Sequence, residues 1–184
     1  MLRRKERSEA HLYMQVTVMT EDAFVGHQGV DLYDAEKMTP AAVANSRVFK
    51  VLKKTKPFQL LQTIAEAYGV DERRLRLWPF NLRTNKAVRP GYLEMHPDLC
   101  KPLEETQYGQ SLPIFLEMLP ADDEREALPA FDKENDVILF LKMYDPVSES
   151  LHYCGHWCVP ISISFSKYKN KRNVILALAG VSNF

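Results

Sequence analysis

Four residues of one short run, His152, Cys154, His156 and Cys158, are of the types that ligate zinc. On an extended strand they alternate onto one face, where successive same-face residues lie roughly 6.5–7 Å apart. That spacing is too wide for all four to converge on one tetrahedral ion. Two of them could ligate with partners from elsewhere, but no partner cluster is visible, and a half-buried strand with polar residues is the competing reading. A second pair is His96 and Cys100, in His96-Pro-Asp-Leu-Cys100. A cysteine nucleophile needs a base and an orienting group beside it; the plainer reading is a loop cysteine next to an exposed histidine. Gly-rich phosphate loops, G-x-S-x-G elbows and H-E-x-x-H helices are absent from the sequence. The chain is therefore read without catalytic residues, without a metal and without a cofactor.

The residues best suited to binding are Arg74, Arg76 and Trp78, in Arg74-Leu-Arg-Leu-Trp-Pro-Phe80. Guanidinium groups beside an indole suit a partner's carboxylates and apolar side chains. The alternative is that a long loop covers Trp78 while the arginines solvate a strand face. The acidic cluster Asp122, Asp123, Glu124 and Glu126 could meet a basic peptide, but it reads more simply as a solvated linker. The basic run Lys167–Arg172 reads as an exposed tail.

These residues need elements to hold them. His11–Met19 alternates, with Leu12, Met14, Val16 and Val18 on one face, the period of a half-buried strand. Arg47–Lys53 is a second strand. Thr55 as cap and Pro57 in the first turn open a helix whose stripe is Phe58, Leu61, Ile64, Ala65 and Tyr68, closed by Gly69. In the next strand Leu75, Leu77 and Pro79 share one face and Arg74, Arg76, Trp78 and Phe80 the other. Pro113–Met118 closes the sheet through Ile114, Leu116 and Met118, or through Phe115 and Glu117. Between these elements lie two long irregular stretches, Thr20–Ser46 and Asn81–Gln110, of the kind that is usually functional or disordered. After the proline-bounded linker Pro120–Pro129, Asp136–Tyr144 and Leu151–Val159 read as a hairpin around Asp145-Pro146. Strand, strand, helix, strand, strand is the ubiquitin-like plan. The fold class is α+β: a ubiquitin-like β-grasp domain followed by an incomplete second unit, a β-hairpin.

Composition narrows the function classes. Lys and Arg number 24, as do Asp and Glu, so no global field attracts nucleic acid or an anionic membrane. The three cysteines lack a disulfide framework and fit a reducing compartment. The charged N-terminus has no signal-peptide apolar run, and no segment is long enough to span a bilayer. A soluble monomer is expected, with no nucleic-acid or membrane partner.

Several motifs together carry a resemblance. They are Glu9-Ala-His-Leu-Tyr-Met-Gln-Val16, Gly26-His-Gln-Gly29, Val48-Phe-Lys-Val-Leu-Lys53, Arg76-Leu-Trp-Pro79, Phe131-Asp-Lys133, Leu139-Phe-Leu-Lys-Met-Tyr-Asp-Pro146, Tyr153-Cys-Gly-His156 and Pro160-Ile-Ser162. In order and spacing they resemble the C-terminal ubiquitin-like region of the ubiquitin-specific protease seven family, the herpesvirus-associated deubiquitinases. The resemblance implies a connector helix over 1–10, a first ubiquitin-like domain over 11–119, an acidic linker over 120–130, a partial second domain over 131–162 and a divergent tail over 163–184. Family members are cysteine isopeptidases whose catalytic Cys and His boxes lie upstream of this region. Gly155-His156-Trp157 is similar to part of the histidine box but falls in the binding region. The resemblance therefore implies a non-catalytic interaction module of a thiol-dependent deubiquitinase, which binds partner peptides or positions the catalytic domain. Implied partners are substrates of the ubiquitin pathway, ubiquitin ligases and a viral ubiquitin ligase. The implied location is the nucleus, with cytoplasm also allowed.

The family pattern is expected to stop near Ile163, as in a truncated gene model, an alternative transcript or a partial gene copy. A two-stranded hairpin left alone is marginal in water. The first domain is thus expected to be the stable part. Val137, Leu139, Leu141, Tyr153 and Trp157 would present apolar surface unless the first domain or Val174–Ala179 covers it.

Overall fold

The computed structural model describes residues 9–29, 31–33, 40–82, 88–105 and 111–162. The tail from 163, with its basic run and Val174–Ala179, lies outside the described residues, as does all but the end of the expected connector helix. In chain order the elements are β1 (Tyr13–Met19), α1 (Pro40–Ala44), β2 (Ser46–Leu52), α2 (Pro57–Tyr68), β3 (Leu75–Leu82), β4 (Val88–Pro90), β5 (Ser111–Met118), β6 (Asp136–Asp145) and β7 (Ser150–Pro160), with short 3-10 turns between. This is a mixed, mostly stranded α+β chain with few helices. It divides into two compact units. The first holds Met1–Thr20, Ser46–Asn81 and Gly91–Leu128; the second holds Glu21–Asn45, Leu82–Pro90 and Pro129–Phe184.

In the first unit the strands lie in the order β2-β1-β5-β3. β1 pairs antiparallel with β2 and parallel with β5, and β5 pairs antiparallel with β3. Alternation sends Met14, Val16, Val18, Leu75, Leu77, Leu112, Ile114 and Leu116 into one core with Leu60, Ile64 and Ala65 of α2. The helical stripe differs from the expected one: Leu60 and Ile64 sit at its centre, fully buried, while Leu61 and Tyr68 pack at its edge. The reason is the helix start. Pro57 is itself buried, so the i, i+3, i+4, i+7 row runs from 57 through 60, 61 and 64. The cap is Lys56 rather than Thr55, because Thr55 is held in a turn by Leu52 and Leu103. Gln59 Oε1 accepts the Lys56 N–H at 3.0 Å. Gly69 ends the helix in the left-handed conformation, as expected. The opposite face of the sheet is also buried, at Met19, Trp78, Phe80 and Phe115.

In the second unit β6 and β7 form an antiparallel pair with one irregularity: Leu141 faces Gly155 but Lys142 faces Tyr153, so Cys154 is an extra residue. This β-bulge reverses the alternation of β7. Gly155, beside it, has φ +113°, a backbone conformation that residues with a Cβ rarely adopt. The face carrying Ile138, Phe140 and Lys142 is buried. The segment that backs it is the irregular stretch after Thr20. The Phe24 ring meets Phe140 edge-on at 6.1 Å and Tyr153 at 5.5 Å. The hairpin is therefore not an isolated two-stranded ribbon. Of the five apolar residues expected to be uncovered, Trp157 is exposed, while Val137, Leu139, Leu141 and Tyr153 are half-buried.

Candidate interaction site

The candidate site begins with the pairing of β3 and β5, which sets Arg76 opposite Glu117 and Trp78 opposite Phe115. Opposite and diagonal neighbours on one sheet face lie within reach of long side chains. Glu117 Oε2 accepts Trp78 Nε1–H at 2.7 Å and Arg76 Nη1–H at 3.2 Å. The Arg76 guanidinium also sits 5.8 Å from the indole centre. Glu117 is only 6% exposed. A carboxylate so buried is tolerable because it is paired and hydrogen-bonded. Of the two readings of Trp78, exposed or covered, the structure shows the covered one: it is 1% exposed, with its N–H donated to Glu117.

Arg74 serves a different purpose. Its Nη1 donates to the Arg125 carbonyl at 2.6 Å, and its Nη2 to Pro120 at 2.5 Å and Asp123 at 3.4 Å. The backbone of Leu119 and Leu128 also bonds to Arg74 and Arg73 carbonyls. The segment read as a solvated linker is thus folded back onto the start of β3. Within it, the Arg125 side chain holds the Asp123 carboxyl down at about 2; Arg73 does the same to Asp71. Asp122, Glu124 and Glu126 share the segment.

The chemical candidates separate. Cys100 is buried and its Sγ–H points at the Pro97 carbonyl, 3.7 Å away, while His96 Nδ1 accepts the Asp98 N–H. Their polar atoms face different partners. His152, Cys154, His156 and Cys158 do not share a face, because the bulge at Cys154 puts His152 opposite Met143 and His156 opposite Phe140. Among the described residues no group of three or more His, Cys, Asp or Glu side chains is placed to hold a metal ion.

His156 instead joins a polar cluster in the second unit. Its Nδ1 meets Glu21 Oε1 at 2.5 Å, and Tyr153 Oη–H donates to the same oxygen at 2.8 Å. The His156 contact holds the Glu21 carboxyl below its usual range despite partial burial. Burial, with the Glu21 charge beside it, pushes the Tyr153 phenol up. Nearby, Lys142 Nζ donates to three carbonyls, those of His27, Gly29 and Asp31, at 3.0, 2.8 and 2.7 Å. Burial lowers this ammonium to about 8, opposed by the Asp31 charge. Gly29 leaves room for the His27–Asp31 pair: a Cβ there would lie 2.5 Å from Asp31 Oδ1 and 2.6 Å from His27 Nε2, so these side chains would have to shift.

Sequence reasoning gave no site role to Glu117, Glu21 or Lys142, though it named Glu117 as one alternative inward residue of its strand. Two of them carried a signal. Glu117 is a single carboxylate inside the apolar strand Leu112–Met118, and Lys142 a single ammonium inside Val137–Tyr144. A lone charge on a buried face calls for a buried partner. Glu21, in a loop, carried none.

Comparison with known proteins bears on what this arrangement serves. A family model described as the ICP0-binding domain of ubiquitin-specific protease 7 matches residues 75–180. Ubiquitin carboxyl-terminal hydrolase 7 of Drosophila melanogaster is 30% identical over 155 residues, covering 84% of this chain and 13% of the relative. Ubiquitin C-terminal hydrolase 13 of Arabidopsis thaliana is 29% identical over 176 residues, covering 87% and 14%. Ubiquitin carboxyl-terminal hydrolase 5 of Schizosaccharomyces pombe is 27% identical over 165 residues, covering 84% and 14%. The chain thus spans 13–14% of the length of these relatives. The family match runs to residue 180, past Ile163.

Proposed function

Because this chain belongs to the family of the ICP0-binding domain of ubiquitin-specific protease 7, a protein-binding region of deubiquitinases, we propose that it is a non-catalytic protein-interaction module. It binds peptide segments of partners or sets the position of a deubiquitinase catalytic domain. The observation that carries this reading is the family match over 75–180, which covers β3, β5 and the β6–β7 hairpin and is described as a binding domain. The strand order β2-β1-β5-β3, with α2 between β2 and β3, supports a ubiquitin-like β-grasp for residues 11–119. The hairpin over 131–162 then opens a second such unit, joined by the linker 120–130. Proposed partners are proteins of the ubiquitin pathway, including substrates, ligases and a viral ligase of the ICP0 kind, met by a monomer in the nucleus.

Arg74, Arg76 and Trp78 serve this role chiefly by fixing β3 against β5 and the linker. Arg74 and Arg76 are half-buried, so their outer atoms are within a partner's reach. The competing reading is a thiol-dependent ubiquitin hydrolase, favoured only by the names of the relatives. A fluorogenic ubiquitin substrate separates the two. The module reading expects no turnover at any protein concentration and retention of ubiquitin-pathway proteins on immobilised full chain. Turnover abolished by a cysteine alkylator would sink it.

A further inference from the structure

β2 lies at one end of the sheet order, so one of its edges has no paired strand among the described residues. The Lys53 N–H donates to Leu12 across the β1–β2 pair. Odd-numbered residues of β2 therefore turn their backbone groups toward β1, and Val48 and Lys50 turn theirs outward. An unpaired row of N–H and C=O groups is a template for another strand.

Both sides of that edge carry apolar surface. On one, Val48 is 59% and Leu52 46% exposed, and Lys50 Nζ lies 4.7 Å from the Tyr13 ring centre. On the other, Phe49 of β2 and Leu61 and Tyr68 of α2 are only partly buried, rimming the core. The Arg47 guanidinium lies 5.2 Å from the Tyr68 ring and donates to the Ala67 carbonyl. A strand laid along β2 would send alternate side chains to these two sides.

The charge is one-sided. From Arg47 to Lys56 the sequence has five cations, Arg47, Lys50, Lys53, Lys54 and Lys56, and no carboxylate, within a chain of zero formal net charge. A second copy pairing through the same edge would set these cations against one another, a repulsive arrangement. The complementary occupant is an extended segment whose apolar residues alternate with Asp or Glu.

We propose that the open edge of β2, with the partly buried Leu61 and Tyr68 of α2 beside it, binds an extended acidic–apolar peptide of a partner protein by strand addition. The proposal rests on the module reading and names a surface and a partner class for it. The rival account is that the lysines only blunt the edge against aggregation.

The test uses the full chain and a labelled ten-residue peptide alternating valine with glutamate, followed by fluorescence anisotropy and by backbone amide shifts. The expected result is saturable binding that shifts the Val48 and Lys50 amides and weakens with salt. The double reversal Lys50→Glu/Lys54→Glu, at two exposed positions, should weaken binding about tenfold or more. It should also create binding to the matching valine–lysine peptide. Equal affinity for wild type and the double variant, or amide shifts confined outside β2 and α2, overturns the proposal. A full chain that retains ubiquitin-pathway proteins equally with and without the reversal keeps the module reading and rejects this edge. If wild type retains none, the module reading fails, and the peptide titration still decides the edge.

Discussion

The two units solve the same problem, burying one face of a sheet, by different means. In the first, α2 supplies a continuous apolar stripe, and Leu60, Ile64, Val16, Val18 and Ile114 are fully buried. In the second, a two-stranded sheet is backed by an irregular loop. Its apolar contribution centres on Phe24 against Phe140 and Tyr153, and its other ties are polar: Lys142 to three carbonyls and Glu21 to Tyr153 and His156. A helix satisfies its own backbone and can present a purely apolar face. A loop cannot, so its carbonyls must be met by side chains from the element it covers.

Core truncation should sharpen this contrast most. Phe140→Ala and Leu60→Ala should each cost about 3–5 kcal/mol in their own unit. Amide exchange is the check: protection should fall in β6–β7 for the first and in β1, β2 and α2 for the second. If either change opens amides throughout the chain, the contrast between two separate cores breaks.

Next in size is Glu117→Ala, which removes the carboxylate that accepts from the buried Trp78 N–H and from Arg76. Removing one member of such a pair should cost about 3 kcal/mol, read by denaturant titration. Trp78→Phe, which leaves the Arg76–Glu117 pair in place, should cost less. A larger loss from Trp78→Phe would mean that packing rather than the carboxylate dominates this site.

Lys142→Met keeps the aliphatic stem but leaves three carbonyls without their donor, at a cost of about 1–3 kcal/mol. The damage should be local, seen as faster exchange of amides near His27–Asp31. No change there would mean that Phe24, Glu21 and Gln28 hold the loop without it.

The smallest effect is a pH dependence. Glu21 is held below its ordinary value near 4.5. Between that value and the folded one, the unfolded chain binds more protons than the native, so stability rises with pH across the window. The contribution of Glu21 is therefore complete above pH 4.5 and is lost as pH falls through the folded value. Glu21→Gln should flatten the acid limb of the second unit, measured by Tyr153 fluorescence or amide exchange, and leave the first unit's limb unchanged. An equal flattening in both units would reject the assignment.

Much of the first unit was legible because its signals are periodic. Met14, Val16 and Val18 alternate, α2 repeats every three to four residues, and Gly69 marks its end; each pattern reflects a face that must avoid water. The helix cap and the exact stripe were missed by one residue, since Thr55 is drawn into a turn by Leu103, far along the chain. The candidate site was half legible. Arg74, Arg76 and Trp78 stood out by type, but their partners are residues 39 to 51 positions away.

The sequence by itself determined where β1, β2, β3, β5, the hairpin and α2 run, most of the strand residues that face the first core, and the family to which the chain belongs. Only the tertiary structure decided that Trp78 is buried on Glu117, that the linker is held by Arg74, and that the bulge at Cys154 parts His152 from His156. It also decided that the loop after Thr20 backs the hairpin. The physical reason is range. Periodicity records whether a residue meets water or core, a one-body property written along the chain. Pairing of a charge with its partner, and a bulge that reverses a strand's faces, depend on which distant segment lies opposite, and no local spacing encodes that.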